Sequence, residues 1–146
     1  MTKQIAPLQR HELLITLTPD DQPDDRFSTH VNNARYFAFI NQTFRGWYIQ
    51  MGMRNADSPF AGVMAHASYD FLRQVHVPGK VLCKIEVCKA GRTSLEHAVE
   101  IWDVSDEPVL AGRGRVVHVG LDRATGQSVP WPAMLLAQCW PGARDK

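Results

Sequence analysis

The sequence contains little cysteine, almost no net charge and no long apolar run, and each shortage excludes a class of protein. Its three cysteines, Cys83, Cys88 and Cys139, lack C-x-x-C spacing, so they indicate buried thiols in a reducing compartment, without a disulfide framework or zinc site. Sixteen Lys and Arg against fifteen Asp and Glu give a net charge of +1, which argues against a nucleic-acid-binding protein. No apolar run approaches the roughly 18 residues of a membrane span, and the first residues do not resemble a signal peptide. We therefore expect a cytoplasmic domain that binds neither nucleic acid nor membrane.

Common catalytic and cofactor motifs are also missing. The chain has no G-x-S-x-G nucleophile elbow, no P-loop and no G-x-G-x-x-G, which excludes α/β-hydrolase and nucleotide-binding folds. Four histidines lack the spacing of metal ligands, so we expect them to be structural or exposed; they are His66, His76, His97 and His118. The sequence thus implies no metal and no redox cofactor.

What is present suits one folded domain, residues 1–146. The 146 residues are 45% hydrophobic and 21% charged, close to the averages of globular proteins. Residues 31–51 carry apolar side chains around nearly the whole circumference of a helix, with Gly52 at the position of a C-cap. This pattern predicts one buried central helix of about five turns.

Alternating apolar and polar residues predict five strands, one before the helix and four after it. We place them at residues 11–18, 63–75, 80–89, 93–104 and 109–121, and expect a last helical turn within 130–140 that covers an edge. Short turns such as Pro78-Gly79 predict that consecutive strands pair antiparallel. The predicted architecture is α+β, an antiparallel sheet of about five strands wrapped around one long central helix. Because such a sheet leaves edges uncovered, we expect it to pair with a second copy of the chain.

The residues that lead into the predicted helix are the strongest candidates for chemistry. The unpaired N–H groups and positive dipole end of a helix N-terminus can polarise a carbonyl or stabilise an oxyanion. Asp25 is a candidate nucleophile or base, or else a solvated acid within a run of four aspartates. His30 is a candidate hydrogen-bond donor or a helix-capping residue. Asn32 and Asn33 are candidate oxyanion donors, or an N-cap. The arrangement indicates acyl transfer.

The motif His30-Val31-Asn32-Asn33-Ala34-Arg35-Tyr36 resembles the signature of hotdog-fold acyl-CoA thioesterases of the 4-hydroxybenzoyl-CoA thioesterase-like group. The resemblance implies a hotdog fold, hydrolysis of an acyl-CoA or acyl-carrier thioester, and a homodimer or a dimer of dimers (a homotetramer). Weaker likenesses extend it over about residues 11–136, at 69–73, 91–95, 116–126 and 129–130.

Three positions depart from the family's pattern. The family carries Asp four residues before the His of the motif, where this chain has Arg26. Thr29 replaces the Gly before the His, and Asn41 stands at a helix position where many relatives have Glu. The resemblance implies Asp25 as base or nucleophile if its loop carries it to the site, with His30 as an orienting donor.

Basic and hydroxyl residues late in the chain are candidates for binding coenzyme A. Arg73 and Arg92 suit its phosphates because a guanidinium group pairs with them in a bidentate manner; the alternative is an ordinary solvated position. Thr93 and Ser94 follow Arg92 in a predicted turn, where they could place the attacking water or cap the turn.

Two other functions remain open at this point. One is a hotdog hydratase or dehydratase, which would act on an acyl thioester without releasing a thiol. The other is a non-catalytic protein that binds acyl thioesters, which the displaced acid makes credible.

Overall fold

The computed structural model describes residues 5–23, 28–53 and 56–142. It contains five strands, two helices and a short 3-10 turn at Pro19–Asp21. The strands and helices of the described residues are β1 Arg10–Thr16, α1 Asn33–Gln50, β2 Phe60–Phe71, β3 Lys80–Ala90, β4 Ser94–Asp103, β5 Val109–Asp122 and α2 Ala133–Cys139. The predicted order of one strand, a long helix and four strands is confirmed.

All five strands form one antiparallel sheet in the order β1-β3-β4-β5-β2. The prediction that consecutive strands pair is wrong for β2 and β3, because β2 ends at Phe71 and pairs with β5 instead. Residues 72–79 then cross to β3, so the strand predicted through Val75 stops four residues early. The N–H of Val31 donates to the Val75 carbonyl at 2.8 Å, and the N–H of Val77 donates to the Thr29 carbonyl at 2.8 Å. These bonds tie the connection to the entrance of α1.

The close pairing of β2 with β5 depends on a small residue. A Cβ atom on Gly114 would overlap the carbonyl of Ser68 on β2. A larger side chain would therefore separate the two strands.

One side of α1 is buried in the concave face of the sheet. Its buried side chains are Tyr36, Phe39, Ile40, Thr43, Phe44 and Trp47. They pack against inward-facing apolar residues of β3 and β4, which alternate with outward polar ones as expected for strands with one buried face. The indole N–H of Trp47 donates to the Leu8 carbonyl at 2.8 Å. The central helix is confirmed.

The opposite side of α1 is open, contrary to the prediction of burial around most of its circumference. Phe37 is 38% exposed and Ile49 is 44% exposed. Neighbouring β2 residues are exposed as well, including Val63 at 40% and Met64 at 42%. The apolar residues that suggested all-round burial therefore face outward in the single chain.

Charged residues alternate in sign across the outer face of the sheet. The strand register places Lys84 opposite both Glu12 and Glu100, and Arg113 opposite both Glu100 and Asp70. Opposite charges on facing strands stabilise a sheet modestly. This row of charges therefore largely neutralises itself.

The C-terminal segment closes one end of the core. Cys139 of α2 is buried, and the N–H of Leu8 donates to the Gln138 carbonyl at 2.8 Å. The predicted last helical turn is confirmed as α2. No helix of the described residues is long and apolar enough to cross a membrane.

The three cysteines are free thiols, and two are buried as predicted. Cys88 is exposed, because it occupies an outward position in the alternation of β3. Its thiol lies 3.5 Å from the backbone oxygen and from a side-chain oxygen of Glu96.

Candidate active site

The first turn of α1 presents partly satisfied backbone donors. Asn32 is the N-cap, and its side-chain oxygen accepts the N–H of Ala34 at 3.2 Å. The N–H of Asn32 donates to the Asp21 carbonyl at 2.8 Å. Among the described residues, no backbone hydrogen bond engages the N–H of Asn33, which is exposed at the first helical position. Capping by Asn32, one of the two alternatives for this residue, is thus observed.

His30 lies at the entrance of α1 and forms an isolated β-bridge with His76. A ring nitrogen of His30 contacts the hydroxyl of Ser28. On the other side of this bridge, the hydroxyl of Thr29 lies 2.9 Å from Nδ1 of His76. The polar groups around His30 are therefore fixed by the 72–79 connection, next to the open end of the helix.

Asp21 belongs to the run of four aspartates within which Asp25 was alternatively expected to be a solvated acid. Asp21 is only 4% exposed, and its carboxylate accepts the N–H of Thr18 at 2.8 Å and the Nε–H of Arg35 at 2.9 Å. Arg35 is a cation in the first turn of α1, where the helix dipole disfavours positive charge. The Asp21 carboxylate offsets that cost. Thr18 followed three residues later by an acid is a capping-box spacing, and this signal could have identified the residue.

Asp25, the predicted base or nucleophile, lies outside the described residues, and so does Arg26. The chain is described up to Pro23 and again from Ser28.

Arg73 is placed at the same end of the molecule as the start of α1. It is exposed just after β2, and its backbone N–H donates to the Ala111 carbonyl at 3.0 Å. The neighbouring ring of Phe71 packs edge-on against Tyr36 of α1, with 5.3 Å between centroids. Arg73 is the predicted CoA-binding residue that the structure places near the helix entrance.

The other predicted CoA-binding residues, Arg92, Thr93 and Ser94, lie at the opposite end of the sheet. The Thr93 carbonyl accepts the N–H of Gly120 at 2.8 Å, and Ser94 begins β4. Ser94 and Asp103 are the two ends of β4, and Asp103 is the end that faces the start of α1. At the usual rise of a strand, Ser94 lies about 30 Å from Asp103. Within one protomer, the structure does not bring this turn to the N-terminus of α1.

Two other basic residues of the sheet have partners. Arg115 forms an ion pair of 2.6 Å with Glu96, and the Lys84 ammonium lies 5.6 Å from the ring centre of Trp102. A cleft of about 700 Å³ on this outer face is lined by acids as well as bases. Mixed charge does not favour a phosphate group.

A second cleft, of about 510 Å³, lies between α1 and β2 and was not predicted. It is lined by Asn41, Phe44, Arg45, Tyr48, Ile49, Gly62, Met64 and His118. The Tyr48 hydroxyl donates to the Gly62 carbonyl at 3.4 Å. Burial raises the pKa of Tyr48, so this hydroxyl stays protonated. A β-bulge in β2 between Met64 and His66 borders the cleft.

Two buried histidines lie next to this cleft, and one of them, His118, lines it. His97 is 0% exposed and His118 is 3% exposed, and their ring centres lie 6.2 Å apart. Phe44 packs against both rings, at 4.8 Å and 4.6 Å, and Trp47 packs against His97 at 4.6 Å. Burial lowers the pKa of His97 to about 3 and that of His118 to about 4, so both are neutral at pH 7.

Both ring nitrogens of His97 and Nδ1 of His118 are buried without a hydrogen-bond partner among the residues that the structure describes. Buried polar atoms in folded proteins are nearly always paired, so such exceptions call for a reason. The prediction that the four histidines are structural or exposed is correct: His97 and His118 are buried among aromatic rings, and His66 and His76 are exposed. His118 also lines the cleft.

The family model described as the thioesterase-like superfamily matches residues 20–139. No curated protein sequence matches the chain.

Several solved structures share the fold. A 1,4-dihydroxy-2-naphthoyl-CoA thioesterase from Synechocystis is similar with a TM-score of 0.76 and 17% identity, over 90% of this chain and 96% of that one. A Staphylococcus aureus protein in complex with CoA has a TM-score of 0.80 and 13% identity, over 94% and 85%. A mutant 4-hydroxybenzoyl-CoA thioesterase in complex with 4-hydroxybenzoyl-CoA has a TM-score of 0.78 and 11% identity, over 90% and 99%.

These findings bear on the expectations drawn from the motif at residues 30–36. The antiparallel sheet around α1 is the predicted hotdog architecture, and it is shared with the thioesterases above. The family match extends well beyond the motif and supports hydrolysis of an acyl-CoA thioester. The chain belongs to the thioesterase-like superfamily.

Proposed function

We propose that this protein is an acyl-CoA thioesterase that holds the thioester carbonyl at the N-terminal end of α1. The observation that carries this proposal is the N–H of Asn33, an exposed donor at the positive end of the helix dipole without a backbone partner among the described residues. A donor already held in place can stabilise the developing oxyanion without reorganisation. Asn32 and Asn33 therefore form the oxyanion-binding end of the site.

Asp25 is the proposed base. A water molecule gives a proton to its carboxylate while the water oxygen attacks the thioester carbon. The C–S bond then breaks, CoA leaves as a thiolate and takes up the proton, and the free acid is released. Attack by Asp25 itself, through a mixed anhydride that water then cleaves, gives the same products. His30 orients the water or the carbonyl, since it is fixed beside the helix entrance.

We also propose that the working unit is a homodimer. The exposed apolar residues of α1 and β2 form one side of the molecule, and β2 is an edge strand of the sheet. Unpaired edge strands are commonly covered by a second chain. Arg73 would then bind CoA on the same protomer whose α1 holds the thioester carbonyl. Arg92, Thr93 and Ser94 are too distant within one protomer, so their role requires the second copy; a dimer of dimers would add contacts on the outer face of the sheet.

The test is release of free thiol from a panel of short, long and aromatic acyl-CoAs, comparing the wild type with Asp25→Asn and His30→Ala. Removal of a general base commonly costs about 100- to 10,000-fold in rate, and we expect Asp25→Asn to fall in that range. Asp20→Asn is the matched control, because Asp20 is an exposed acid of the same aspartate run. Its turnover should equal that of the wild type.

Each outcome decides a part of the proposal. Unchanged turnover in both Asp25→Asn and His30→Ala would contradict the assigned roles. If thiol were released only from an acyl-carrier protein thioester, the substrate would be that thioester and not an acyl-CoA. Sedimentation at the mass of one 16.4 kDa chain would contradict the dimer.

A further inference from the structure

His76 is an exposed titratable side chain at the entrance of α1, and the reaction steps proposed above do not use it. It lies in the connection of residues 72–79, opposite His30 in the isolated β-bridge. Its Nδ1 lies 2.9 Å from the hydroxyl of Thr29, so the ring is held against the residue that precedes His30. Among the described residues, Nε2 of His76 makes no hydrogen bond. The ring therefore has one nitrogen held by the protein and one without a protein partner.

The contact at Nδ1 determines what Nε2 can do. A hydroxyl oxygen accepts a hydrogen bond from an imidazole N–H, so Nδ1–H can donate to Thr29 while Nε2 carries a second proton. Histidine is the side chain that ordinarily gains and loses this second proton between about pH 5 and 8. Glycine, which the family of the sequence motif carries at the position of Thr29, has no hydroxyl to hold the ring. The pair of Thr29 and His76 is thus independent of the family's motif.

The leaving group of the proposed reaction lies on the side of this connection. In the proposed function, the thioester carbonyl is held at the N–H of Asn33 and Arg73 binds CoA. His76 follows Arg73 by three residues. The N–H of Val31 donates to the Val75 carbonyl at 2.8 Å, which ties this part of the connection to the start of α1. A pantetheine arm that joins the two ends follows the connection, with its sulfur at the end nearest α1.

The two histidines of the bridge lie on different strands and can serve different atoms of the thioester. His30 belongs to the segment that leads into α1, and the proposed function gives it the water or the carbonyl. His76 belongs to the connection that leads back to Arg73, on the side of the sulfur. Water adds to the carbonyl carbon and sulfur leaves from it, so the reaction needs a polar group at each position.

We propose that His76 delivers a proton to the sulfur as the C–S bond breaks. The imidazolium begins with a proton on each ring nitrogen, and its Nδ1–H donates to Thr29. As the tetrahedral intermediate collapses, the electron pair of the C–S bond stays on sulfur, which takes the Nε2 proton and leaves as a neutral thiol. The proton that the attacking water gave to Asp25 returns to His76 through solvent. Water and thioester thus become acid and thiol with no net change in protons.

This inference rests on the proposed function and names the source of the proton in its last step. The experiment varies the basicity of the leaving thiolate while the acyl group stays the same. An N-acetylcysteamine thioester releases an alkyl thiol like that of CoA, and a 4-nitrothiophenyl thioester releases a weakly basic thiolate that leaves more readily without a proton. Neither ester carries the nucleotide of CoA, so neither comparison depends on its phosphates.

The substitution His76→Gln should affect the two esters unequally. Loss of a general acid commonly costs about 100-fold or more in rate, and we expect a kcat reduced to that extent for the N-acetylcysteamine thioester. The kcat for the 4-nitrothiophenyl thioester should stay near the wild-type value. A residue that only supports the structure of the entrance would slow both esters alike.

Three further variants are matched to this one. Thr29→Val removes the hydroxyl that holds Nδ1 and keeps the shape of the side chain, so it should give the same selective loss by a smaller factor. Gln74→Ala changes an exposed residue of the same connection, and it should hydrolyse both esters like the wild type. His30→Ala should slow both esters alike, because its partner is the water or the carbonyl.

Three results would overturn the inference while the proposed function stands. The first is an equal loss on both esters in His76→Gln. The second is an unchanged kcat for the N-acetylcysteamine thioester in that variant. The third is a selective loss in His30→Ala in place of His76→Gln, which would make His30 the proton donor. A wild-type protein that releases thiol from no thioester would instead overturn the proposed function, and this inference with it.

Discussion

The two ends of α1 differ in how their polar groups are satisfied. At the N-terminal end, Asn32 caps the helix and the Asp21 carboxylate has two partners. Under the second half of α1, His97 and His118 leave three ring nitrogens buried without a partner among the described residues. The first end belongs to a recognisable sequence motif and the second does not. The first end is not fully satisfied either, because the buried hydroxyl of Tyr69, whose ring stacks on Tyr36 at 5.3 Å, also has no partner among the described residues. The two ends therefore differ in degree: the entrance has a cap and an ion pair, and the histidines have neither.

This contrast has a physical origin in what each end must do. The helix entrance must hold a loop, a connection and a cationic Arg35 in one arrangement, so most of its polar atoms serve local structure. Under the second half of α1, His97 of β4 and His118 of β5 pack as aromatic rings against Phe44. Their unpaired ring nitrogens make no hydrogen bond to the described residues that would stabilise the fold.

The largest expected effect is a loss of stability in acid that originates at the cleft end. Burial lowers the pKa of His97 to about 3 and that of His118 to about 4, from 6.5. As the pH falls, the unfolded chain therefore takes up protons before the folded one does. The stability is fully present above about pH 6.5 and is lost toward pH 4, at roughly 1.4 kcal/mol per pH unit for each histidine. Urea unfolding between pH 7 and pH 4 should show a loss of about 3 kcal/mol per histidine.

The variant His97→Leu sharpens this prediction. It removes one of the two titrations, so the pH dependence of its unfolding free energy should be about half as steep. An equally steep dependence in the variant, or a flat one in the wild type, would show that the buried histidines are not the source.

A smaller loss of stability is expected when the Asp21 carboxylate at the helix entrance is removed. Asp21→Ala leaves the Thr18 N–H without its acceptor and Arg35 without its counter-ion at the positive end of the dipole. We expect a loss of about 2 to 3 kcal/mol in the unfolding free energy, measured by urea denaturation at pH 7. Asp20→Ala removes the exposed neighbour and should change little. Equal losses in both variants would contradict the structural role of Asp21.

The smallest expected change in stability comes from substitutions of Asn32, which also separate its capping role from a catalytic one. Asn32→Ala should lose about 1 kcal/mol of stability because Ala cannot accept the Ala34 N–H. Asn32→Asp keeps the acceptor and favours the dipole, so its stability should match the wild type. If the amide of Asn32 also contacts the oxyanion, Asn32→Asp will lose kcat at unchanged stability. If Asn32 is a cap alone, both properties will stay at the wild-type level.

The sequence was sufficient for most of the fold, because period-two alternation and the apolar helix are local signals. The pairing of β2 with β5 was not predictable in this way: Pro78-Gly79 looked like a hairpin turn, although it ends a longer connection across the sheet. The outward face of α1 was also missed, since an apolar residue such as Phe37 does not reveal whether its cover comes from its own chain or from another one.

Prediction of the site was similarly limited by tertiary contacts. The helix entrance was located from the residues of the motif. The capping-box spacing of Thr18 and Asp21 pointed to a local role for Asp21, but its burial beside Arg35, fourteen residues away along the chain, is a tertiary contact. The cleft was overlooked for the same reason. His118 lies opposite Leu95 across β4 and β5, so its neighbours follow from the strand register and not from its sequence context.

The central claim is that this protein cleaves acyl thioesters, and the most direct test follows both products for the wild-type protein. Short, long and aromatic acyl-CoAs would be supplied, and free thiol and free acid measured in the same reaction. The account predicts thiol and acid in equal amounts. Binding of acyl-CoA without thiol release, or conversion of the acyl group with the thioester intact, would contradict it and favour a binding protein or a hydratase.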